Sequence, residues 1–302
     1  MSQNKFKFPD TGQVSCFDIN AKEIDLIQNE DNLFGQNGNF IINPMSFSKF
    51  GNKKENISEL ATWEDGLRTV FDNNTGLVWE IKSPDKNDVN YYNNTYSWSE
   101  AQEIYIKKLN DANYGGYNDW RVPAKEELRT IIDYSKSNPS IDTLYFPNTK
   151  IGMYWCKEIY QMQACFGWVL FFGVGSATAA SLTSKRYIRA VRGGYEDKSK
   201  EIISKRLFDN GDGTVTDKHT NLMWQQGENP RMSWFDALKY AKEFKLAGHN
   251  DWRLPNIKEL NSILNLSYEN NWWYYKKFFP ADGLQPPLLH YFSSTSYEKY
   301  FV

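Results

Sequence analysis

The 302-residue chain balances 35 Lys and Arg against 37 Asp and Glu, a net charge of −2 with a pI near 6.0, which excludes nucleic acid and an anionic membrane surface as electrostatic partners. Aromatic residues make up 16% of it, with 11 Trp and 19 Tyr, more than a minimal core needs, and no apolar run approaches the ~20 residues of a membrane-spanning helix. Its cysteines, Cys16, Cys156 and Cys165, are odd in number and sparse, which argues against a disulfide framework or a CxxC zinc site, although Cys156 and Cys165 could face each other across a hairpin.

Residues 1–60 read as a leader, with "FPDTGQVSCFD" near the start and "FGQNGNF" at Phe34–Phe40, expected to pack on the segment that follows. The opening "MSQNKFKFPDTGQ" has no apolar signal core, so the chain is either cytosolic or the mature form of a secreted protein. From Thr69 onward the chain writes itself twice. "TVFDNNTGLVWE" answers "TVTDKHTNLMWQ", "YSWSEAQEIY" answers "MSWFDALKYA", "GGYNDWRVPAKEEL" answers "AGHNDWRLPNIKEL", and "YWC" answers "YFS". The period is far longer than a solenoid repeat, so the expected organisation is a first domain over 61–195, a charged linker over 196–205 and a second domain over 206–302. The second copy has no counterpart of the first copy's last strands, and another segment or another chain is expected to cover that edge.

Each copy has the same local grammar. "DNGDG" at Asp209–Gly213 predicts a tight hairpin turn leading into the strand "TVTD". Ser97 with Glu100, and Ser233 with Asp236, stand at capping spacing, which starts a helix in each copy. Ala101, Ile104, Tyr105 and Leu109 form one expected helical stripe, and Trp234, Ala237, Leu238 and Ala241 form the other. Pro123 and Pro255 hold the preceding residue extended, and second helices follow, with Leu128, Ile131 and Ile132, or Leu260, Ile263 and Leu264, on their inner faces. Asn256 caps the later one, with Glu259 at its third position.

In "DWR" the extended backbone turns Trp120 one way while Asp119 and Arg121 share the other face. The same holds for Trp252 between Asp251 and Arg253. These two phrases, with Trp79, Trp98, Trp224 and Trp234, are expected to be structural: tryptophans filling cores and acid–arginine pairs orienting loops.

"DNGDGTVTDKHTNLMWQ", "SWFDALKYA", "HNDWRLPNIKELNSIL" and "RYIRAVRGG" together resemble the Lcl C-terminal domain family, and the resemblance covers most of the chain twice. Members of that family are placed with C-type lectin-like folds and are similar to the formylglycine-generating enzyme group. The resemblance therefore implies an α+β fold of tandem C-type lectin-like domains, each with two helices on short, twisted, mostly antiparallel strands, the second incomplete. Many relatives have a Cys between the arginines of the terminal motif, where this chain has Ala190, and the leader lacks a second Cys after Cys16.

In such folds the closing strands carry the ligand surface. That implies a non-enzymatic binding protein whose ligand, a protein or a glycan, meets Tyr154, Trp155, Tyr160, Trp168, Phe172 and a basic spot of Lys185 and Arg186. An alternative is a subunit or processed regulator of a larger bacterial assembly. Formylglycine-type copper oxidase chemistry would need two close thiols to hold Cu(I), and Ala190 stands at the late position of a reactive Cys. No cofactor is expected. Calcium has weak support from Asp209, Asp212 and Asp217, because glycines occupy the loop positions that need side-chain oxygens. His219, His249 and His290 lack metal-ligand spacing or a neighbouring nucleophile.

Overall fold

A computed structural model describes residues 7, 9–18, 22–24, 34–160, 162–193, 206–227, 229, 231–268 (264–268 by backbone alone), 278–279 and 292–296. The expected linker at 196–205 and His290 lie outside the described residues. In chain order the strands are β1 (Cys16–Phe17), β2 (Glu23–Ile24), β3 (Phe47–Phe50), β4 (Thr69–Asp72), β5 (Leu77–Glu80), β6 (Met153–Ile159), β7 (Phe166–Phe171), β8 (Ser176–Ser181), β9 (Val191–Gly193), β10 (Leu207–Asp209), β11 (Thr214–Asp217) and β12 (Leu222–Gln225). All their pairings are antiparallel, and with the helices they make a mixed α+β chain.

Two compact units emerge, one built on Pro44–Glu196 and one on Phe6–Asn43 with Asp197–Val302. This corrects the expectation that the whole leader packs on the first repeat. Residues 47–50 deliver β3 to the first unit, while Phe6–Asn43 belong to the second.

Unit one holds a sheet in the order β3-β4-β5-β9 and a second sheet β6-β7-β8. The turn between β4 and β5 is built by Asp72, whose carboxylate accepts the Asn74 amide at 2.9 Å, and by Gly76 at φ 74. Val70, Leu77, Trp79, Leu128, Ile131, Ile132, Tyr154, Cys156, Leu170 and Phe172 share one buried cluster. Ala101, Tyr105, Leu109, Trp120, Trp155 and Ile188 fall in a second.

The first helix begins on Ser97, whose hydroxyl accepts the Glu100 amide at 3.4 Å while the Glu100 carboxylate accepts the Ser97 amide at 2.7 Å. It runs as Trp98–Glu100, a wider π-helical stretch Ala101–Ile106, then Lys107–Asp111. The extra residue per turn moves the inward face on by one, so Ile106 is buried and Ile104, expected inside, is 42% exposed. The helix Lys125–Thr130 follows, its start fixed by the Glu127 carboxylate on the Ala124 amide at 2.8 Å. Leu128, Ile131 and Ile132 are fully buried, as the pattern requires.

Unit two repeats the plan on a smaller core. β10 turns through "DNGDG" into β11, the Asn210 amide donating to the Thr214 carbonyl at 3.0 Å. Helix Trp234–Glu243 starts on Ser233, and helix Ile257–Tyr268 on Asn256, whose side chain accepts the Glu259 amide at 2.9 Å while Glu259 accepts the Asn256 amide at 2.8 Å. Burial matches residue by residue along the second strand of each repeat, with Val70 and Val215, Thr69 and Thr214, and Asp72 and Asp217 all buried.

Residues 292–296 stand where β6 stands in unit one. The Lys157 amide donates to the Pro123 carbonyl at 2.8 Å, and the Ser294 amide donates to Pro255 at 2.8 Å. The Trp98 indole donates to the Cys156 carbonyl at 3.1 Å, and Trp234 to Ser293 at 2.7 Å. In unit one β7 pairs with that strand; in unit two the leader covers its counterpart. The Asn37 amide donates to the Ser294 carbonyl at 2.9 Å, the Gln13 side chain engages both backbone groups of Ser296, and the Lys258 ammonium donates to the Asp10 carbonyl at 2.9 Å. Gly38 permits the approach: a Cβ there would sit 2.5 Å from the Ser15 carbonyl oxygen. The leader thus covers part of what the second copy lacks.

Candidate functional site

At the tip between β6 and β7 of unit one, the half-buried rings of Tyr160 and Trp168 stand beside an exposed methionine. Tyr160 closes the hairpin, its amide donating to Phe166 at 2.8 Å. Its ring stands edge-on to Trp168 at 5.0 Å, and the Lys125 ammonium sits 3.9 Å from the centre of the Trp168 ring. Met162, which sequence reasoning missed, is 67% exposed and receives the Tyr160 hydroxyl at 3.3 Å. Its position inside "YQMQAC", a polar break between two apolar strands, was the available signal.

The other expected contact residues are elsewhere. Tyr154, Trp155 and Phe172 are corrections: all three are buried, because β6 and the end of β7 turn them into the two cores. The Trp155 indole spends its N–H on the Tyr96 carbonyl at 2.8 Å, and the Tyr154 hydroxyl accepts the Lys150 amide at 2.9 Å. Trp168 is half-buried. Arg186 is also half-buried, donating to the Lys185 carbonyl at 2.8 Å and pairing by backbone with Tyr96. Lys185 bonds to Glu100, whose carboxylate that partner pulls down to about 2, so one of the two charges of the expected basic spot is paired. The two cysteines do not pair: Cys156 points into the core and Cys165 is exposed at the hairpin tip. Strand register separates them, since Ile159 already lies opposite Gly167.

A buried polar centre lies behind β5, and no sequence signal was read for it. The Lys82 ammonium bonds to the Glu80 carboxylate at 2.9 Å and to the Tyr105 hydroxyl at 2.7 Å, and Tyr105 donates to the same carboxylate oxygen. The other carboxylate oxygen accepts the Ala190 amide at 2.7 Å. The Arg189 guanidinium donates to the Glu80 carbonyl and to the Thr149 hydroxyl, both at 2.7 Å. Burial brings Lys82 down to about 8 and pushes the Tyr105 phenol well above its usual range. Shifts of this kind mark many active sites, but Glu80, Lys82, Tyr105 and Arg189 are all buried and each has a partner, so the cluster ties β5 to the first helix and to the segment before β9. The readable signal was "WEIK", charges inside an apolar strand.

Glu158 accepts the Lys125 amide at 3.0 Å, at the start of the second helix, and burial raises its carboxyl to about 7. A carboxyl whose folded pKa is raised stabilises the fold below its unfolded value of about 4.5 and loses that contribution as pH rises to about 7. Against Glu158→Gln, the wild-type chain is therefore expected to lose about 1–2 kcal/mol between pH 4.5 and 7.5, less than the full shift implies because the residue is half-buried. Urea unfolding of both proteins across that range measures it; parallel pH profiles would refute it.

The "DWR" phrases sit as their alternation requires. Trp120 is buried, Arg121 pairs with Glu127 through both guanidinium nitrogens at 2.6 Å, and Asp119 accepts Arg192 of β9 at 2.6 and 3.0 Å. Arg253 pairs with Glu259 at 2.7 and 2.6 Å. The carboxylates weighed for calcium are engaged otherwise: Asp217 holds Arg206 at 2.8 and 2.5 Å, and Asp209 and Asp212 accept amides of their own turn. Among the described residues no three His, Cys, Asp or Glu side chains gather as metal ligands. Burial lowers His219 to about 4. His249 lies 3.9 Å from Asp251 on the surface.

No helix among the described residues is long and apolar enough to cross a membrane. Compared with known proteins, residues 68–192 and 213–301 each match the family model of the Lcl C-terminal domain. No curated protein matches the chain.

Proposed function

Because the chain belongs to the Lcl C-terminal domain family and carries that domain twice, we propose that it is a recognition protein of C-type lectin-like architecture that performs no covalent chemistry. Its ligand, a glycan or a protein, docks on the β6–β7 hairpin tip of unit one. The observation that supports this reading is the exposed Met162 between the half-buried rings of Tyr160 and Trp168, with the buried Lys125 ammonium over the Trp168 ring. The burial of the Glu80 centre favours binding over catalysis, since its groups are closed to a substrate.

The test is a glycan array, with calcium and with a chelator, run beside cross-linking to intact partner cells or extracts. Tyr160→Ala is expected to reduce retention about tenfold while leaving the thermal midpoint unchanged. Retention is expected to be equal with calcium and with chelator. Full retention by Tyr160→Ala, or a fall in its thermal midpoint, would assign the ring to packing and end this reading.

A further inference from the structure

The two copies differ most where β9 belongs. In unit one β9 lies against β5, with Leu77 opposite Gly193, Val78 opposite Arg192 and Trp79 opposite Val191. Its other edge meets the extended "DWR" segment: Arg121 and Val191 exchange backbone hydrogen bonds at 2.9 and 3.0 Å, and Arg121 also donates to the Gly193 carbonyl at 3.1 Å. Arg192 then closes the groove by its two bonds to Asp119. So enclosed, every residue of β5 is buried.

Among its described residues, unit two keeps the receiving groups without the strand. β12 is the counterpart of β5, yet none of its residues is buried, and Met223, the counterpart of Val78, is 38% exposed. Among the described residues no strand pairs with its outer edge. The Gln226 amide donates inward to the Gly213 carbonyl, so by strand alternation the amides of Met223 and Gln225 face outward. Asp251, the counterpart of Asp119, has a side chain 88% exposed, and its ion-pair partner among the described residues is His249, at 3.9 Å. Arg253 is held in the same bidentate grip by Glu259 as Arg121 is by Glu127.

From this we infer that the outer edge of β12, with the Asp251–Arg253 segment, is an acceptor groove for an antiparallel strand donated by a partner polypeptide that presents an apolar residue, an arginine and a glycine in succession. The occupant's chemistry is read from Val191–Arg192–Gly193, which fills the equivalent groove in unit one. The apolar residue lies beside Trp224, the arginine pairs with Asp251, and the glycine passes Leu222, while backbone groups complete the ladder. The inference does not depend on the hairpin tip of unit one.

The test uses the full chain and a synthetic peptide of residues 187–193. Saturable binding is expected by fluorescence anisotropy, weakened about tenfold or more by Asp251→Lys and equally by Arg192→Glu in the peptide. Met223→Pro is expected to abolish binding without unfolding unit two, because that amide serves only the outer edge. Hydrogen exchange gives the independent readout: the Met223 and Gln225 amides exchange fast in the free chain and slow when peptide is bound. Absence of saturable binding, binding indifferent to Asp251→Lys and Met223→Pro, or slow exchange of both amides in the free chain, which would mean that the chain's own residues already fill the groove, would each overturn it.

Discussion

Glu80→Ala is expected to destabilise unit one by about 3–5 kcal/mol, the cost of leaving a buried charge without its counter-ion. Glu80 is fully buried and its carboxylate receives the Lys82 ammonium, the Tyr105 hydroxyl and the Ala190 amide. With it gone, Lys82 keeps only the Tyr105 hydroxyl, in a site that already lowers the ammonium to about 8. The Ala190 amide, next to β9, loses its acceptor at the same time. Glu80→Gln keeps the shape and part of the bonding, so a smaller loss is expected. Urea unfolding followed by tryptophan fluorescence reads both, and a loss below about 1 kcal/mol for Glu80→Ala would show that water reaches the centre.

Trp120→Ala is expected to cost about 3–5 kcal/mol, and Trp252→Ala clearly less, about 1–2 kcal/mol, although the two residues occupy the same place in the repeated phrase. Trp120 is buried, its indole donates to the Tyr114 carbonyl at 3.0 Å, and its ring meets Tyr114 and Tyr117 at 5.9 and 6.0 Å. Trp252 is only half-buried, with a longer bond of 3.4 Å to Leu246 and ring contacts at Phe244 and His249. Thermal unfolding of the two variants separates them. Equal losses would mean that the second copy is as closed around its tryptophan as the first.

The extended "DWR" strand was legible residue by residue, because alternation alone puts Trp120 inside and Asp119 with Arg121 outside. The helix starts at Ser97, Ser233 and Asn256 were legible for the same kind of reason: a cap is a contract between residues three apart. The candidate site was legible only in part. Tyr160 was separable from its neighbours by its turn, whereas Tyr154 and Trp155 looked equally suitable as surface aromatics. Their burial depends on which face of β6 meets the two cores, and those cores draw on residues from β3 to β9. Ile104 failed as a core residue because one wide helical stretch shifts the inward face, and spacing counted at 3.6 residues per turn cannot show that.

By itself the sequence determined that the chain holds two copies of one domain, where their turns, strands and helix starts fall, and which family they belong to, since each of these is written in residues close together along the chain. Only the tertiary structure decided that Phe6–Asn43 join the second unit, that Glu80, Lys82, Tyr105 and Arg189 meet in one buried centre, and that every residue of β5 is buried while none of β12 is. The physical reason is that burial and partnership are set by what arrives from distant parts of the chain: equal local phrases fold alike, and their exposure differs with the strand that does or does not lie beside them.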